Sequence, residues 1–308
     1  MGAEPVAAEV RATRVHKRDA AGDAIRAHLA HHVSAFIDQD ARVRRDEPDA
    51  VHQMRVAARQ LRSSLQVFSP LVDRTWATHL RTELDWAADD LGLARDTEVL
   101  LDRLTAHIAD LPEAQRELAR RVVNETLSAR LRLARTESLA SLDSPRHQEL
   151  IDALAAAVKR PQLTKAAREP CSKALPPLFE KSWRSLNRIV ADLNRDSPAR
   201  DWHKARIAAK RTRYAAEFLA PIFGGRVDDF AHAMSRITNV LGDTHDANVA
   251  QMTLEQLATQ PDADRACCFA LGMLSANELL DERSLRADFT QVWPVAVKAH
   301  KRTRSAFR

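Results

Sequence analysis

The stretch VHQMRVAARQLRSSLQVFSPLV, residues 51–72, aligns without a gap with WHKARIAAKRTRYAAEFLAPIF, residues 202–223. His, Arg, Ala-Ala, Arg and Pro recur at the same places in both. A second pair, LGLARDTEV at 91–99 and LGDTHDANV at 241–249, follows in the same order. The members of the two pairs are separated by 151 and 150 residues. Two matched segments at nearly one separation indicate an internal duplication.

The composition predicts an all-α fold. The 308 residues include only 7 Gly and 1 Tyr, while Ala, Leu and Arg are abundant, which favours helices over sheets. Each half is predicted to form an up-and-down bundle of about four helices. The helical periodicity covers 20–43, 50–69, 74–109, 113–142, 146–158, 174–194, 201–220, 226–258, 262–288 and 289–304.

Prolines place the boundary between the two halves. Pro161, Pro170, Pro176 and Pro177 lie close together, and closely spaced prolines are expected to break a helix. The predicted division is a first helical bundle at 1–160, a linker at 161–177 and a second bundle at 178–308. The same reasoning predicts further breaks at Pro221 and Pro294.

The repeated segment predicts an amphipathic helix with one cationic side. Successive residues turn by about 100°, so His52, Arg55, Arg59 and Arg62 share one face, while Met54, Ala58, Leu61, Leu65 and Phe68 share the opposite face. The second copy has His203, Arg206, Lys210 and Arg213 on its cationic side. Residues 51–72 contain no Asp or Glu, and neither do residues 202–216.

Two interpretations of these cationic faces remain open. Like charges at i, i+3 and i+4 repel by about 0.2–0.5 kcal/mol per pair, so a polyanion that supplied the missing negative charge would bind there. Alternatively, the faces are solvated, or are paired with carboxylates of other helices. The duplication favours the first interpretation, because two related copies would place both faces across one groove. Asp96 and Asp246 are candidates for anchoring the basic side chains.

Other chemistry has weaker support. His28, His31 and His32 lack partners at a recognisable metal-ligand spacing, so no metal site is predicted. Gly92 and Gly242 are expected to permit close helix contact. Phosphate-loop, dinucleotide and nucleophile-elbow motifs are absent, which predicts no enzyme, no catalytic residues and no cofactor. Three cysteines without a disulfide framework, no membrane-length apolar stretch and no signal-peptide core predict a cytoplasmic protein.

The paired motifs resemble the CHAD family, the conserved-histidine α-helical domain. The resemblance rests on VHQMRVAARQLR with LGLARD, and on WHKARIAAKRTRY with LGDTHD. SLDSPRHQEL, EKSWRSL and FTQVWPVA extend it over almost the whole chain. It implies two four-helix bundles related by pseudo-twofold symmetry around a basic central cavity, in the stand-alone form without a triphosphate-tunnel domain.

The resemblance also implies a function, since family members bind inorganic polyphosphate and associate with polyphosphate granules. By position, the polyphosphate-binding residues are His52, Arg55, Arg59, Arg62, His203, Arg206, Lys210 and Arg213, with Arg184 and Arg188 as additions. Gln60, Asp85 and Ser235 depart from the basic residues expected there, so the extent of the basic surface is open. The basic tail, with Lys298, Lys301, Arg302, Arg304 and Arg308, either extends the site or stays disordered.

The sequence therefore predicts a non-catalytic polyphosphate-binding protein with no membrane partner. Nucleic-acid binding is the first alternative, disfavoured because aromatic residues make up 5% of the chain and do not alternate with the cationic positions. An enzyme of polyphosphate or phosphoanhydride metabolism is the second. The sequence sets no oligomeric state.

Overall fold

The fold is entirely helical over the residues that the structure, a computed structural model, describes: 14–260 and 264–307. These ranges contain two short 3-10 turns, at Ser69–Leu71 and Lys165–Arg168, and nine α-helices. The α-helices are α1 Ala21–Arg44, α2 Ala50–Val67, α3 Arg74–Ile108, α4 Glu113–Leu142, α5 Pro145–Lys159, α6 Cys171–Ala191, α7 Ala199–Phe223, α8 Gly225–Ala258 and α9 Arg265–Thr303. The first thirteen residues, used above in the signal-peptide prediction, and Arg308 lie outside the described part.

Each half builds a four-helix bundle. In the first half α1, α2 and α3 pack in sequence, and the fourth position is divided between α4 and α5. In the second half α6, α7 and α8 pack in sequence, and α9 forms the fourth position unbroken. The break between α4 and α5 has a local cause, because Ser144 caps the amide of His147 and Pro145 opens α5 at its first turn.

The two halves share their apolar core. One buried cluster contains Phe36 and Phe68 from the first half together with Phe179 and Phe230 from the second. A second cluster joins the far ends of the long helices α3, α4, α8 and α9. Each fully buried leucine in such a cluster contributes about 1.5–3 kcal/mol. The division at 161–177 stays a prediction, as does the pseudo-twofold relation of the halves.

The expectation that the prolines break helices is wrong at three places. Pro176 and Pro177 lie inside α6, Pro221 lies inside α7, and Pro294 lies inside α9, which joins the predicted helices 262–288 and 289–304. Pro176 and Pro177 leave the carbonyls of Ser172 and Lys173 without a helical donor. Both of these residues are exposed, so water can hydrate their carbonyls at little cost.

The turn between α7 and α8 sets the direction in which α8 leaves the second basic helix, α7. Gly224 adopts φ +85, a backbone conformation that residues with a side chain rarely take, and α7 ends there. Helix α8 then runs back beside α7. The LG segment of α8 is thereby placed next to the cationic residues of α7, as α3 is placed next to α2.

Candidate polyanion-binding site

Helices α2 and α7 bury the faces predicted to be apolar. Met54, Ala58 and Leu61 of α2 are fully buried, and so are Ala205 and Ala209 of α7. Burial of these faces fixes the rotation of each helix about its axis. The cationic residues are thereby turned away from the core, toward the place where α2 and α7 pack against each other.

Four cations from the two helices converge at this contact. We call Arg55 and Arg59 of α2 with Arg206 and Lys210 of α7 the central cluster. Each of the four is half-buried. Lys210 lies close enough to Arg206, Arg59 and Arg55 for its charge to be repelled by all three. The structure thus brings the two predicted cationic faces together across one site.

Burial and mutual repulsion destabilise the charged forms in the central cluster. Burial, followed by repulsion from Arg206 and Arg59, lowers the pKa of Lys210 to about 7. The pKa of Arg206 is lowered mainly by burial; Asp246 opposes this shift and Arg59 adds to it. Among the described residues, the buried Nε atoms of Arg59 and Arg206 have no hydrogen-bond partner. The hydrogen-bonding capacity of these two guanidinium groups is therefore incompletely used by the protein.

Imidazoles flank the central cluster on both helices. His52 lies near Arg59 and Arg55, and burial is the main cause of its lowered pKa. His203 lies at the start of α7, with its ring centroid 5.0 Å from that of His245 on α8. Burial, then the charge of Arg206, lowers the pKa of His245 to about 4. These rings are hydrogen-bonding groups whose charge can respond to a ligand.

Nearby carboxylates only partly balance the central cluster. Asp96 accepts a hydrogen bond from Nη2 of Arg55 at 3.1 Å, which agrees with the anchoring role suggested for it. The Asp96 side chain is 72% exposed, while that of Arg55 is 16% exposed. Asp246 lies near Arg206 and Lys210, and burial raises its pKa. Asp89 also attracts the charge of Arg55. Among the described residues, four cations therefore face three nearby carboxylates, which leaves the site cationic.

The glycines of the two LG segments, Gly92 and Gly242, have different surroundings. A β-carbon on Gly92 would collide with the guanidinium of Arg55, so Gly92 makes room for a side chain of the site. A β-carbon on Gly242 would meet nothing within 4 Å. The expected close contact with a neighbouring helix is therefore present at Gly92, through the Arg55 side chain of α2, and the expectation is wrong at Gly242. In the first half the side chain of Arg55 lies against α3 at Gly92. In the second half the space beside Gly242 of α8 is open.

Arg62 and Arg213 both have carboxylate partners, one from α3 and one from the next turn of α7. Arg62 forms an ion pair with Asp85. Nε of Arg213 donates to Glu217 at 2.6 Å, and its Nη1 donates to Thr238 at 3.0 Å. Counter-charge thus accompanies the C-terminal parts of the cationic faces and is scarce at the central cluster. The binding role of both arginines stays a prediction.

Arg184 and Arg188 lie apart from the central cluster. Both are exposed on α6, and within the described residues neither makes a hydrogen bond or ion pair with the cluster. Nε of Arg184 donates to the carbonyl of Glu180 at 3.4 Å. The C-terminal tail packs elsewhere as well, since the ring of Phe307 lies 5.1 Å from that of Phe223, at the far end of α7.

Sequence reasoning missed two residues of the site, Arg95 and His245. Arg95 lies close enough to Arg55 and His52 to repel their charges. The signal was present, because LGLARD and LGDTHD place Arg95 and His245 at the same position, directly before Asp96 and Asp246. A helical projection of these segments beside those of α2 and α7 would have found both.

Two other groups of potential metal ligands have local explanations. The rings of His28 and His32 meet edge to face with centroids 4.3 Å apart, and His28, with its buried Nε2, borders a mainly apolar cavity. Elsewhere in the described chain His107, Glu278 and Asp281 meet, but Arg103 already bonds both carboxylates, at 2.7 and 3.0 Å. This second group therefore forms a buried ion-pair network between α3 and α9.

The fold defines an all-α protein with paired basic helices, and similarity to known proteins identifies its family. Residues 27–255 match the CHAD domain. The chain belongs to the CHAD domain family.

Relatives and solved structures agree with this assignment. The uncharacterized protein Rv2226 of Mycobacterium tuberculosis (strain ATCC 25618 / H37Rv) is 30% identical over 266 residues, which cover 83% of this chain and 50% of the relative. The chain thus spans about half the length of that relative. The CHAD domain structure from the plant Ricinus communis is 26% identical with a TM-score of 0.71, covering 94% of this chain and 97% of that one.

A second structure supports the fold alone. PptA from Streptomyces chartreusis has a TM-score of 0.75 and 24% identity, covering 90% of this chain and all of its own. Within the described residues, none of the helices combines the length and apolarity that crossing a membrane requires.

Proposed function

We propose that this protein binds inorganic polyphosphate without chemical turnover, with the central cluster as its main contact. The observation that carries the proposal is the convergence of four half-buried cations from two helices, with fewer carboxylates than cations near them among the described residues. A group of like charges in a partly dehydrated place is unstable by itself. A bound polyanion removes that instability, so its binding free energy includes relief of the repulsion.

Several features favour phosphate oxygens as the contacting atoms. Arginine presents a planar fork that matches two oxygens of one phosphate, and lysine adds a point charge. Arg59 on α2 and Arg206 on α7 are both half-buried, and the Nε atom of each lacks a partner among the described residues, so neither guanidinium is saturated by the protein's own acceptors. A linear chain of phosphates would contact α2 and α7 together, whereas a single phosphate would reach fewer of these cations. The CHAD family membership supports the same ligand class.

Nucleic acid is the first alternative. Single-stranded nucleic acid is held by a basic groove together with aromatic side chains on which the bases stack. In the described part of the chain, the residues of the central cluster are accompanied by imidazoles, and Trp202 and Tyr214 of α7 are buried. The site therefore supports phosphate contacts better than contacts with bases.

Turnover of phosphoanhydrides is the second alternative. Incubation of the pure protein with polyphosphate, nucleotide and Mg²⁺ or Mn²⁺ tests it. We expect no orthophosphate release and no change in chain length. Turnover that is lost in an Arg59→Gln variant would instead assign catalysis to the site.

A competition titration tests the proposal. Labelled long-chain polyphosphate is bound at two salt concentrations and then challenged with orthophosphate, ATP, single-stranded RNA and duplex DNA at equal phosphate concentration. We expect displacement by unlabelled polyphosphate and weak displacement by the other ligands. Equal displacement by DNA or RNA would make the site a general polyanion site.

Location in the cell follows from the ligand. We propose a cytoplasmic protein that associates with polyphosphate granules. A fluorescent fusion should form foci in cells that accumulate polyphosphate and lose them when polyphosphate synthesis is blocked. Foci that persist without polyphosphate would contradict this location.

A further inference from the structure

The two repeats differ in the kind of cation that they place at equivalent positions. The first repeat has Arg59 and Arg95, whose guanidinium groups remain charged at all physiological pH values. At the aligned positions the second repeat has Lys210 and His245, which can lose their protons. One side of the site therefore has fixed charge at both positions, and the other side has adjustable charge.

The surroundings of Lys210 penalise its proton. Arg206 lies near it on the same helix, Arg55 and Arg59 face it from α2, and Asp246 faces it from α8 as the opposing acid. Three cations thus act on the ammonium group against one carboxylate. Burial adds to this effect, and the pKa of Lys210 falls to about 7.

The imidazole pair His203 and His245 has similar surroundings. The two rings are 5.0 Å apart, and Arg206 and Lys210 repel a proton on His245. Both rings border a small cavity together with Trp202, Asn248 and Glu282. The carboxylate of Glu282 is engaged by Arg286 at 2.5 Å and by Gln251 at 3.3 Å, so it already has donors.

Negative charge at the site would favour the protonated forms that the protein's own groups disfavour. Phosphate oxygens would attract the charged forms of Lys210 and of both imidazoles, where the protein's own groups mainly repel them. A group whose proton is favoured in the complex must take one up when the complex forms, and mass action then makes binding stronger at lower pH.

We infer that the site takes up protons when it binds its polyanion, at Lys210 and at the His203–His245 pair, and that affinity therefore rises as the pH falls. This inference rests on the proposed function and adds regulation to it. Acidification would load the site with polyphosphate, and alkalinisation would release the ligand.

Calorimetric titration with long-chain polyphosphate tests the inference. Titrations at pH 8 in two buffers of different ionisation enthalpy give the number of protons taken up. Lys210, with a pKa of about 7, is mostly neutral at pH 8. We expect uptake of about one proton per site, and affinity that falls by up to about tenfold per pH unit between pH 8 and pH 9.

The first repeat supplies the test variants. Lys210→Arg and His245→Arg introduce the permanent cation class found at the aligned positions of the first repeat. Together they should remove most of the proton uptake and bring the affinity at pH 9 close to that at pH 7. Lys204→Arg is the matched control, because Lys204 is an exposed lysine of the same helix that already bonds Asp201 at 2.8 Å. It should leave proton uptake unchanged.

The outcomes separate this inference from the proposed function. If polyphosphate does not bind at any pH, the proposed function fails. If it binds with the same proton number in the wild type and in the Lys210→Arg/His245→Arg variant, the proposed function stands and proton uptake at these residues is overturned. Protons taken up by the ligand itself are common to both proteins, so the difference reports the site.

Discussion

The guanidinium of Arg55 occupies the space beside the α-carbon of Gly92 that a β-carbon would fill. From this position Nη1 donates to the carbonyl of Ala88 at 3.3 Å, and Nη2 donates to Asp96 at 3.1 Å. A glycine in the middle of a helix costs about 0.5–1 kcal/mol relative to alanine. Here that cost is offset by the placement of a site cation, which ties the LG motif to the basic helix.

Gly92→Ala is predicted to displace Arg55 and weaken polyphosphate binding. The collision is with the end of a flexible side chain, so the fold should survive while the contact with Asp96 is lost. A displaced Arg55 would lose its contact with the polyanion, and a hydrogen bond from a charged group contributes about 1.5–3 kcal/mol, so affinity should fall by roughly tenfold or more. Fluorescence titration measures this effect.

Gly242→Ala is the control for that variant. It introduces the same methyl group in the aligned position, where the structure shows open space. Affinity should be unchanged, and the melting temperature should rise because alanine favours the helix. Equal loss of affinity in both variants would refute the positional role of Gly92.

Stability is predicted to fall on the acid side of neutrality because of buried histidines. Burial, followed by the nearby His32, lowers the pKa of His28 well below its usual value, and the pKa of His32 falls to about 4. The unfolded chain therefore binds these protons first. The stability that comes from keeping these histidines neutral is fully present above about pH 6.5, the pKa of an unfolded histidine. It is lost as the pH falls toward the lower pKa values of the folded state.

His28→Phe should reduce this acid sensitivity. Phenylalanine cannot take a proton and would keep contact with Phe218, whose ring lies 4.8 Å from that of His28. Melting temperatures at pH 5 and pH 7.5 should differ less than in the wild type. His232→Gln, a change at an exposed histidine, should leave the difference unaltered. An unchanged difference in His28→Phe would show that His28 binds protons equally in the folded and unfolded states.

Arg103 is predicted to be essential for the contact between the long helices of the two halves. Its Nε donates to Glu278 at 2.7 Å, and Glu278 is fully buried. Arg103→Met would leave that carboxylate without its cation, and breaking such a buried pair costs about 3–5 kcal/mol. Urea unfolding measures the loss.

The double variant Arg103→Met/Glu278→Met tests whether the unpaired carboxylate of Glu278 causes the loss of stability. Removal of both charges leaves no buried carboxylate, so most of the stability should return. If the double variant were as unstable as Arg103→Met, packing around Arg103 would be responsible rather than the ion pair.

The repeat and the helical pattern were sufficient to predict the fold class and the faces of the two basic helices. Met54 and Leu61 are buried, as their spacing requires, and Arg55 and Arg59 share the opposite side. The helix ends were predicted less well at prolines, because a helix tolerates an internal proline more easily where water can hydrate the carbonyl that the proline leaves without a donor. Pro177, one turn after exposed Lys173, illustrates this condition.

The charge balance of the site could not be predicted from single segments. Asp85 reaches Arg62, and Asp96 reaches Arg55, only because α3 packs beside α2. Partners that are distant in sequence decide which predicted cations are neutralised. The central cluster was therefore contained within the predicted set of residues, but its limits required the three-dimensional structure.

The most direct test of the central cluster compares two charge-matched variants in a polyphosphate titration at 50 and 200 mM salt. Arg59→Gln/Arg206→Gln removes one cation from each basic helix, and Arg130→Gln/Arg132→Gln removes two exposed cations of α4. Wild-type affinity should fall by about tenfold or more between the two salts. We predict that the first variant loses most of its binding and has a shallower salt dependence, whereas the second binds as the wild type does. Equal binding by the two folded variants would contradict the account.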